Sequence, residues 1–144
     1  MSGVLVTVDS IHLPTVIVDT LYNHAQVSPE KEICGLLAVR DGVVANPYPI
    51  NNVADEACHR FEMDPRQLID AFRNMRQQGE ELFAIYHSHP NGSAQPSERD
   101  ISRHQYPQAY CLIIFLQGQG SFALGAYRMI NGVFVQVDIE VGAP

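Results

Sequence analysis

"ELFAIYHSHPNGSAQPSERDISRHQ" occupies Glu81–Gln105, and its reading decides the fold. After Glu81 the stretch is apolar until two histidines close it, which predicts a buried strand over Glu81–His89. Pro90 cannot donate to a β-ladder and Asn91–Gly92 favours a turn, so the strand ends there. "PNGSAQP" is then a loop, and Ser97 opens a helix as an N-cap residue. "AYCLIIFL" at Ala109–Leu116 follows as a second buried strand. Strand, loop, helix and strand in succession predict a mixed α/β fold.

Working outward, the same signals continue. "GVLVTV" at residues 3–8 reads as a strand. From Ile11 to about His24 the apolar positions Leu13, Val16, Ile17, Leu21 and Ala25 recur at helical spacing, with Pro14 near the start. "EICGLLAV" at Glu32–Val39 is strand-like, and Asp41–Gly42 turns it into "VVANPYPI" as a hairpin. "MDPRQLIDAFRNMRQQG" at Met63–Gly79 predicts a helix capped by Asp64 and ended by Gly79. Its inner stripe is Leu68, Ile69, Phe72 and Met75. Asn131–Gly132 joins the last two strands.

At 144 residues and 46% hydrophobic, the chain fits a single α/β domain over 1–144, a compact mixed sheet with flanking helices. No run approaches the ~18 apolar residues of a membrane span, and the start lacks a basic n-region, so neither a span nor a signal peptide is expected. Three scattered cysteines, Cys34, Cys58 and Cys111, make no CxxC pair. Each reads as a small buried apolar residue in a reducing cytoplasm rather than as a nucleophile. The net charge of −7, without a dense Lys/Arg cluster, speaks against nucleic-acid binding.

On a strand, residues two apart share a face about 6.6 Å apart, so His87 and His89 can converge on one ion while Ser88 points into packing. Ser97 and Asp100 are i and i+3 on the helix and share a face as well. If the loop folds back, Asp100 becomes a third ligand and leaves a fourth position to water, the pattern of a catalytic zinc. The plain alternative makes the histidines solvated, Ser97 only a cap, and Asp100 a first-turn carboxylate facing the helix dipole. Spacing alone leaves both readings open.

The wider pattern resembles the JAMM (MPN+, or Mov34/PAD-1) metalloproteases. Their motif runs His-x-His-Pro, seven residues counting that proline, then Ser-x-x-Asp; here it reads His87-Ser88-His89-Pro90 and Ser97-Glu98-Arg99-Asp100. "PEKEICGLL" at Pro29–Leu37 looks like the family's upstream segment and puts its glutamate on Glu32 rather than Glu30. The resemblance implies a JAMM/MPN, cytidine-deaminase-like fold, with Zn²⁺ on His87, His89 and Asp100. It implies Glu32 as general base and proton carrier, and Ser97 as donor to the oxyanion of the tetrahedral intermediate.

It also implies a zinc metallopeptidase or isopeptidase that cuts the amide after the C-terminal glycine of a ubiquitin-like protein. The chain lacks the insertions of eukaryotic deubiquitinases and looks most like small bacterial members that act on sulfur carriers, releasing cysteine or a C-terminal extension. "NN" at Asn51–Asn52 and "FEMD" at Phe61–Asp64 fall where that subgroup has similar segments. The carrier's tail is expected to add to a sheet edge at the strand leading to His87 or at the neighbouring hairpin. Alternatives are a peptidase acting on peptidoglycan or short peptides, a non-catalytic ubiquitin-fold-binding scaffold, and a non-haem Fe(II) oxygenase. No nucleic acid or membrane partner is expected, and a homodimer stays open. His104, one turn past Asp100, is a candidate to support the ligands, and Cys34 is read as packing.

Overall fold

The computed structural model describes residues 9–142. The strand expected over residues 3–8 lies outside them. The elements in order are β1 (Ser10–Pro14), α1 (Thr15–Val27), β2 (Cys34–Arg40), β3 (Val43–Ile50), α2 (Pro65–Gln78), β4 (Glu81–His89), α3 (Glu98–Arg103), β5 (Tyr110–Gly118), β6 (Ser121–Ile130) and β7 (Val133–Gly142).

The strands form one seven-stranded sheet in the order β1-β7-β6-β5-β4-β2-β3. β1 runs parallel to β7 and β4 parallel to β5; the other neighbours are antiparallel. The two end strands also approach each other, so the sheet is strongly curled. α1 lies across one face and α2 against β4 and β3 on the other. Each face has its own core: Leu21, Leu37, Tyr86, Leu112 and Ile114 on the α1 side, and Leu36, Ile50, Ala71, Met75 and Ile85 on the α2 side.

Parallel strands need a crossover, and residues between β4 and β5 supply it. This connection carries α3 over the C-terminal end of β4, where open α/β sheets commonly build their sites. Two devices hold it there. The Tyr127 hydroxyl donates to the Ala94 carbonyl at 2.8 Å. Gly125 leaves room for that carbonyl, since a Cβ there would lie 2.4 Å from it.

Three expectations need correction. The apolar pattern assigned to one helix from Ile11 divides at Pro14: Ile11 and Leu13 are buried as alternate residues of a strand. A proline pushes the residue before it out of the helical region, so α1 begins only at Thr15. Its inner face is Ile17, Val18, Leu21 and Ala25, while Val16 is exposed. In α2 Ile69 is exposed and Ala71 takes its place inside, because the buried stripe follows 68, 71, 72 and 75. Lastly, β4 lies between β2 and β5 and offers no edge. The hairpin's outer strand β3 is an edge, but Pro47 and Pro49 have no N–H to give an added chain.

The remaining elements follow their local chemistry. Asp64 accepts from the backbone N–H of Arg66 and Gln67, and Gly79 closes α2 in the left-handed region. Asp41–Gly42 and Asn131–Gly132 both take positive φ, as two-residue hairpins of this twist require.

Candidate metal centre and active site

The period-2 alternation of β4 decides which side chains face the site. Ala84 and Tyr86 enter the α1-side core, and Ile85 the other. His87 and His89 therefore emerge on the α2 side at the strand's end. Their Nε2 atoms lie 3.1 Å apart. Asp100 meets both: Oδ1 is 3.1 Å from His87 Nε2, and Oδ2 is 3.0 Å from His89 Nε2. Glu32 completes the group, with one ligand-capable atom from each of the four residues within 4.8 Å of the others. Glu30, the competing upstream acid, is exposed and outside the cluster.

A capping box delivers Asp100. Ser97 Oγ accepts from the Asp100 N–H, and Asp100 Oδ2 accepts from the Ser97 N–H at 2.8 Å. One carboxylate thus both caps α3 and faces the histidines. The Ser97 hydroxyl accepts in this box, and its own proton stays available for donation.

Glu32 precedes β2 rather than lying on it, and its position comes from three separate clamps. Its own N–H donates to the Ala57 carbonyl at 2.8 Å. Its carbonyl accepts from Asn52 Nδ2 at 2.9 Å, and Asn52 also binds Arg60 O, Ala54 N and Glu62 N. On the other side Ser88, buried between the two histidines, accepts from the Ile33 N–H at 2.9 Å and donates to the Lys31 carbonyl. Ser88 thus does point away from the histidines, but what it packs against is the backbone that carries Glu32.

The electrostatics fit a cation. His89 Nδ1 faces the Ser93 carbonyl at 2.8 Å, so in the neutral ring that nitrogen is the donor and Nε2 carries the lone pair; burial would lower the pKa of this ring, but Asp100 and the Ser93 carbonyl raise it in the metal-free site. This orientation of a ring N–H onto a backbone carbonyl is common for metal-ligating histidines. A lone pair and a carboxylate oxygen then face each other at 3.0 Å, and a proton or a metal ion must lie between them. Donors on a tetrahedron at zinc distances stand about 3.3 Å apart, close to the 3.0–3.1 Å found here.

Burial would raise the Asp100 carboxyl, but the bonds with His87, His89 and the Ser97 N–H outweigh it and hold it well below the carboxylate range. Burial keeps His87 neutral by lowering its pKa, against the opposing pull of Asp100. Burial pushes Glu32 up to about 7, and the nearby Asp100 charge adds to this while His89 and Arg99 oppose it. Glu32 Oε1 and His87 Nδ1 are buried and have no hydrogen-bond partner among the described residues.

The other candidates fall outside the site. Cys34 is buried, with its thiol pushed up to about 12 by burial and by the Glu32 charge, and it donates to the Ile50 carbonyl. It is packing, as expected, and Cys111 is likewise buried, whereas Cys58 is exposed on the 51–63 loop and is not the buried residue expected. His104 contacts the Ala109 carbonyl and the Phe134 ring, makes no hydrogen bond to the ligand cluster among the described residues, and lines the pocket beside His87 and Asp100. Phe61, read only as part of a subgroup segment, stacks on the His87 ring at a centroid distance of 4.6 Å. Neither that contact nor the Asn52 hub has a local sequence signal; both follow from where the 51–63 loop lands.

Over 129 residues the chain is 30% identical to desampylase of Haloferax volcanii, covering 85% of this chain and 90% of that protein. It is 25% identical over 127 residues to the CysO-cysteine peptidase of Mycobacterium tuberculosis, covering 87% and 86%. A solution structure of a protein from Desulfitobacterium hafniense superposes with a TM-score of 0.80 at 30% identity, over 93% of this chain and 94% of that one. Residues 14–127 match the model of prokaryotic homologues of the JAB domain, and the chain belongs to that family.

Proposed function

We propose that the chain is a zinc metallopeptidase that hydrolyses the amide bond after the C-terminal glycine of a ubiquitin-fold sulfur-carrier protein, releasing cysteine or another C-terminal extension. The observation that carries this is a buried glutamate with a free carboxylate oxygen beside two imidazoles and a carboxylate that converge on one point. Relatives named desampylase and CysO-cysteine peptidase, covering most of the chain, support a peptidase.

His87, His89 and Asp100 would hold the zinc. Bound there, zinc supplies a Lewis acid and lowers the pKa of a water toward ~7. Glu32, buried beside the point where His87, His89 and Asp100 converge, would take a proton from the attacking water and return it to the departing amine. Its unpartnered Oε1 is the atom free to do so. The Ser97 hydroxyl, whose proton the capping box leaves unused, would donate to the oxygen on which charge develops. The Asn52 and Ser88 clamps keep Glu32 in place through both proton transfers. Three free cysteines among the described residues accord with action in a reducing compartment.

The test uses purified protein, ubiquitin-fold carriers bearing C-terminal extensions, and intact mass. Zinc-dependent loss of the extension, abolished by chelator and by Glu32→Gln with zinc content kept, is the expected result. Turnover by Glu32→Gln at the parent rate would remove Glu32 from the chemistry.

A further inference from the structure

Beside the ligand cluster lies a pocket of about 210 Å³, lined by His87 and Asp100 but by neither His89 nor Glu32. Phe61, Met63 and Ile85 give it apolar walls, and Arg60, Arg99 and Arg103 also line it. The chain has only nine Lys and Arg residues and a net charge of −7, so a pocket lined by the exposed Arg99 and Arg103 and the half-buried Arg60, against the carboxylates of Asp100 and Glu62, is a local reversal of sign. None of the three is in an ion pair among the described residues. Glu62 lines the same pocket without coming into salt-bridge range of them. Arg60 Nε is buried with no acceptor, a costly state for a charged donor unless an anion arrives.

Size narrows the occupant. Drug-sized pockets begin near ~300 Å³, and this one is smaller, on the scale of a single amino-acid side chain. A diglycine tail has no side chain to fill it. The departing residue does, and it alone brings a free carboxylate.

We propose that this pocket is the subsite for the released residue, taking an apolar side chain of roughly valine to methionine size and pairing its free α-carboxylate with Arg60, Arg99 and Arg103. The proposal rests on the peptidase reading above and extends it to the substrate class: a carrier ending in one extra residue, in preference to a carrier joined to a lysine side chain. Hydrolysis breaks the glycine C–N bond and adds one water across it. The products are the carrier's glycine carboxylate and a free amino acid, whose carboxylate was present from the start. In a lysine conjugate that carboxylate is an amide of the main chain, and the arginines meet no charge.

Zinc-loaded protein is given carriers ending in Gly-Gly-Leu, in Gly-Gly-leucinamide, and in Gly-Gly joined to the Nε of a lysine peptide, and kcat and KM are read by intact mass. The free acid should exceed both others in kcat/KM by about 10-fold or more, chiefly through KM, as hydrogen bonds to a charged group imply. Arg60→Gln and Arg103→Gln should bring the acid-to-amide ratio close to one. Equal turnover of all three substrates by the parent overturns the subsite and leaves the peptidase standing.

A second readout needs no turnover. N-acetylleucine should shift the Met63 and Ile85 methyl resonances of the metal-free protein, where no ion competes for the carboxylate, and N-acetylleucinamide should not. If every carrier stays intact, the peptidase reading fails, and this titration still decides whether the pocket takes a carboxylate. Equal shifts with acid and amide overturn the assignment.

Discussion

Replacing Ser88 with alanine tests how the glutamate is held. The Ser88 hydroxyl is buried and is the acceptor for the Ile33 N–H at 2.9 Å, and it donates to the Lys31 carbonyl at 3.3 Å. In Ser88→Ala the Ile33 N–H, in a residue only 7% exposed, has no acceptor left; an unmet buried donor costs about 1–3 kcal/mol. Lys31 is exposed, so its carbonyl recovers a water and adds little. A net loss of about 2 kcal/mol corresponds to a fall in Tm of roughly 4–8 °C for a chain of this size. Glu32 lies between the two released groups, and a shift of about 1 Å in a catalytic group can cost ~10²-fold. The expected result is a kcat lowered by about 10- to 100-fold, with zinc affinity within about twofold of the parent because the ligands stay on β4 and α3. Ser88→Thr, which keeps the hydroxyl, should regain most of the rate. Thermal unfolding, single-turnover cleavage and competition with a chelating dye measure the three quantities. A variant that loses zinc in proportion to activity, or that keeps full kcat, would refute the clamp.

Zinc at about 100 times its Kd should raise Tm by roughly 5–10 °C, since binding to the folded state alone adds about 2.7 kcal/mol. Asp100→Ala should abolish that rise and also lower the Tm of the metal-free protein through the lost capping box; an unchanged zinc response would break the ligand assignment. In the metal-free protein, burial holds the folded Glu32 near 7, above its unfolded value, so the native state binds the extra proton and its stability falls as pH rises through that window. Glu32→Gln should therefore gain on the parent by up to ~3 kcal/mol above pH 7 and lose the advantage near pH 4; a difference that is flat with pH would contradict this. Gly35→Ala should destabilise by about 3 kcal/mol, because its Cβ would lie 2.4 Å from the Tyr86 hydroxyl and 2.6 Å from the Tyr48 carbonyl. Denaturant unfolding measures it, and a neutral result would mean that β2 and Tyr86 can part freely.

The peculiar economy of this site is that few residues have one task. Asp100 caps α3 and faces both histidines. Ser88 belongs to the strand that presents the imidazoles and also holds the segment that presents the glutamate. Moving any one of them disturbs two parts of the geometry at once.

Much of this was legible in the chain itself, for a local reason. Alternation along "ELFAIYHSH", the Pro90 stop, the Ser97–Asp100 spacing, the Asp64 and Gly79 caps and the two hairpin dipeptides are all determined by φ/ψ preferences and hydrogen bonds within a few residues. Even the split at Pro14 had its signal in the proline, which the helical spacing of neighbouring apolar residues obscured. Tertiary structure decided what depends on partners distant in sequence. Glu32 reaches the histidines through β2 pairing with β4; its own carbonyl is held by Asn52, 20 positions away, and its neighbours Ile33 and Lys31 by Ser88, 55 and 57 positions away; Phe61 and the arginines gather at His87 only because the 51–63 loop and α3 fold onto the same strand end. Local propensity carries no information about such meetings, which come from closing the sheet around its buried strands.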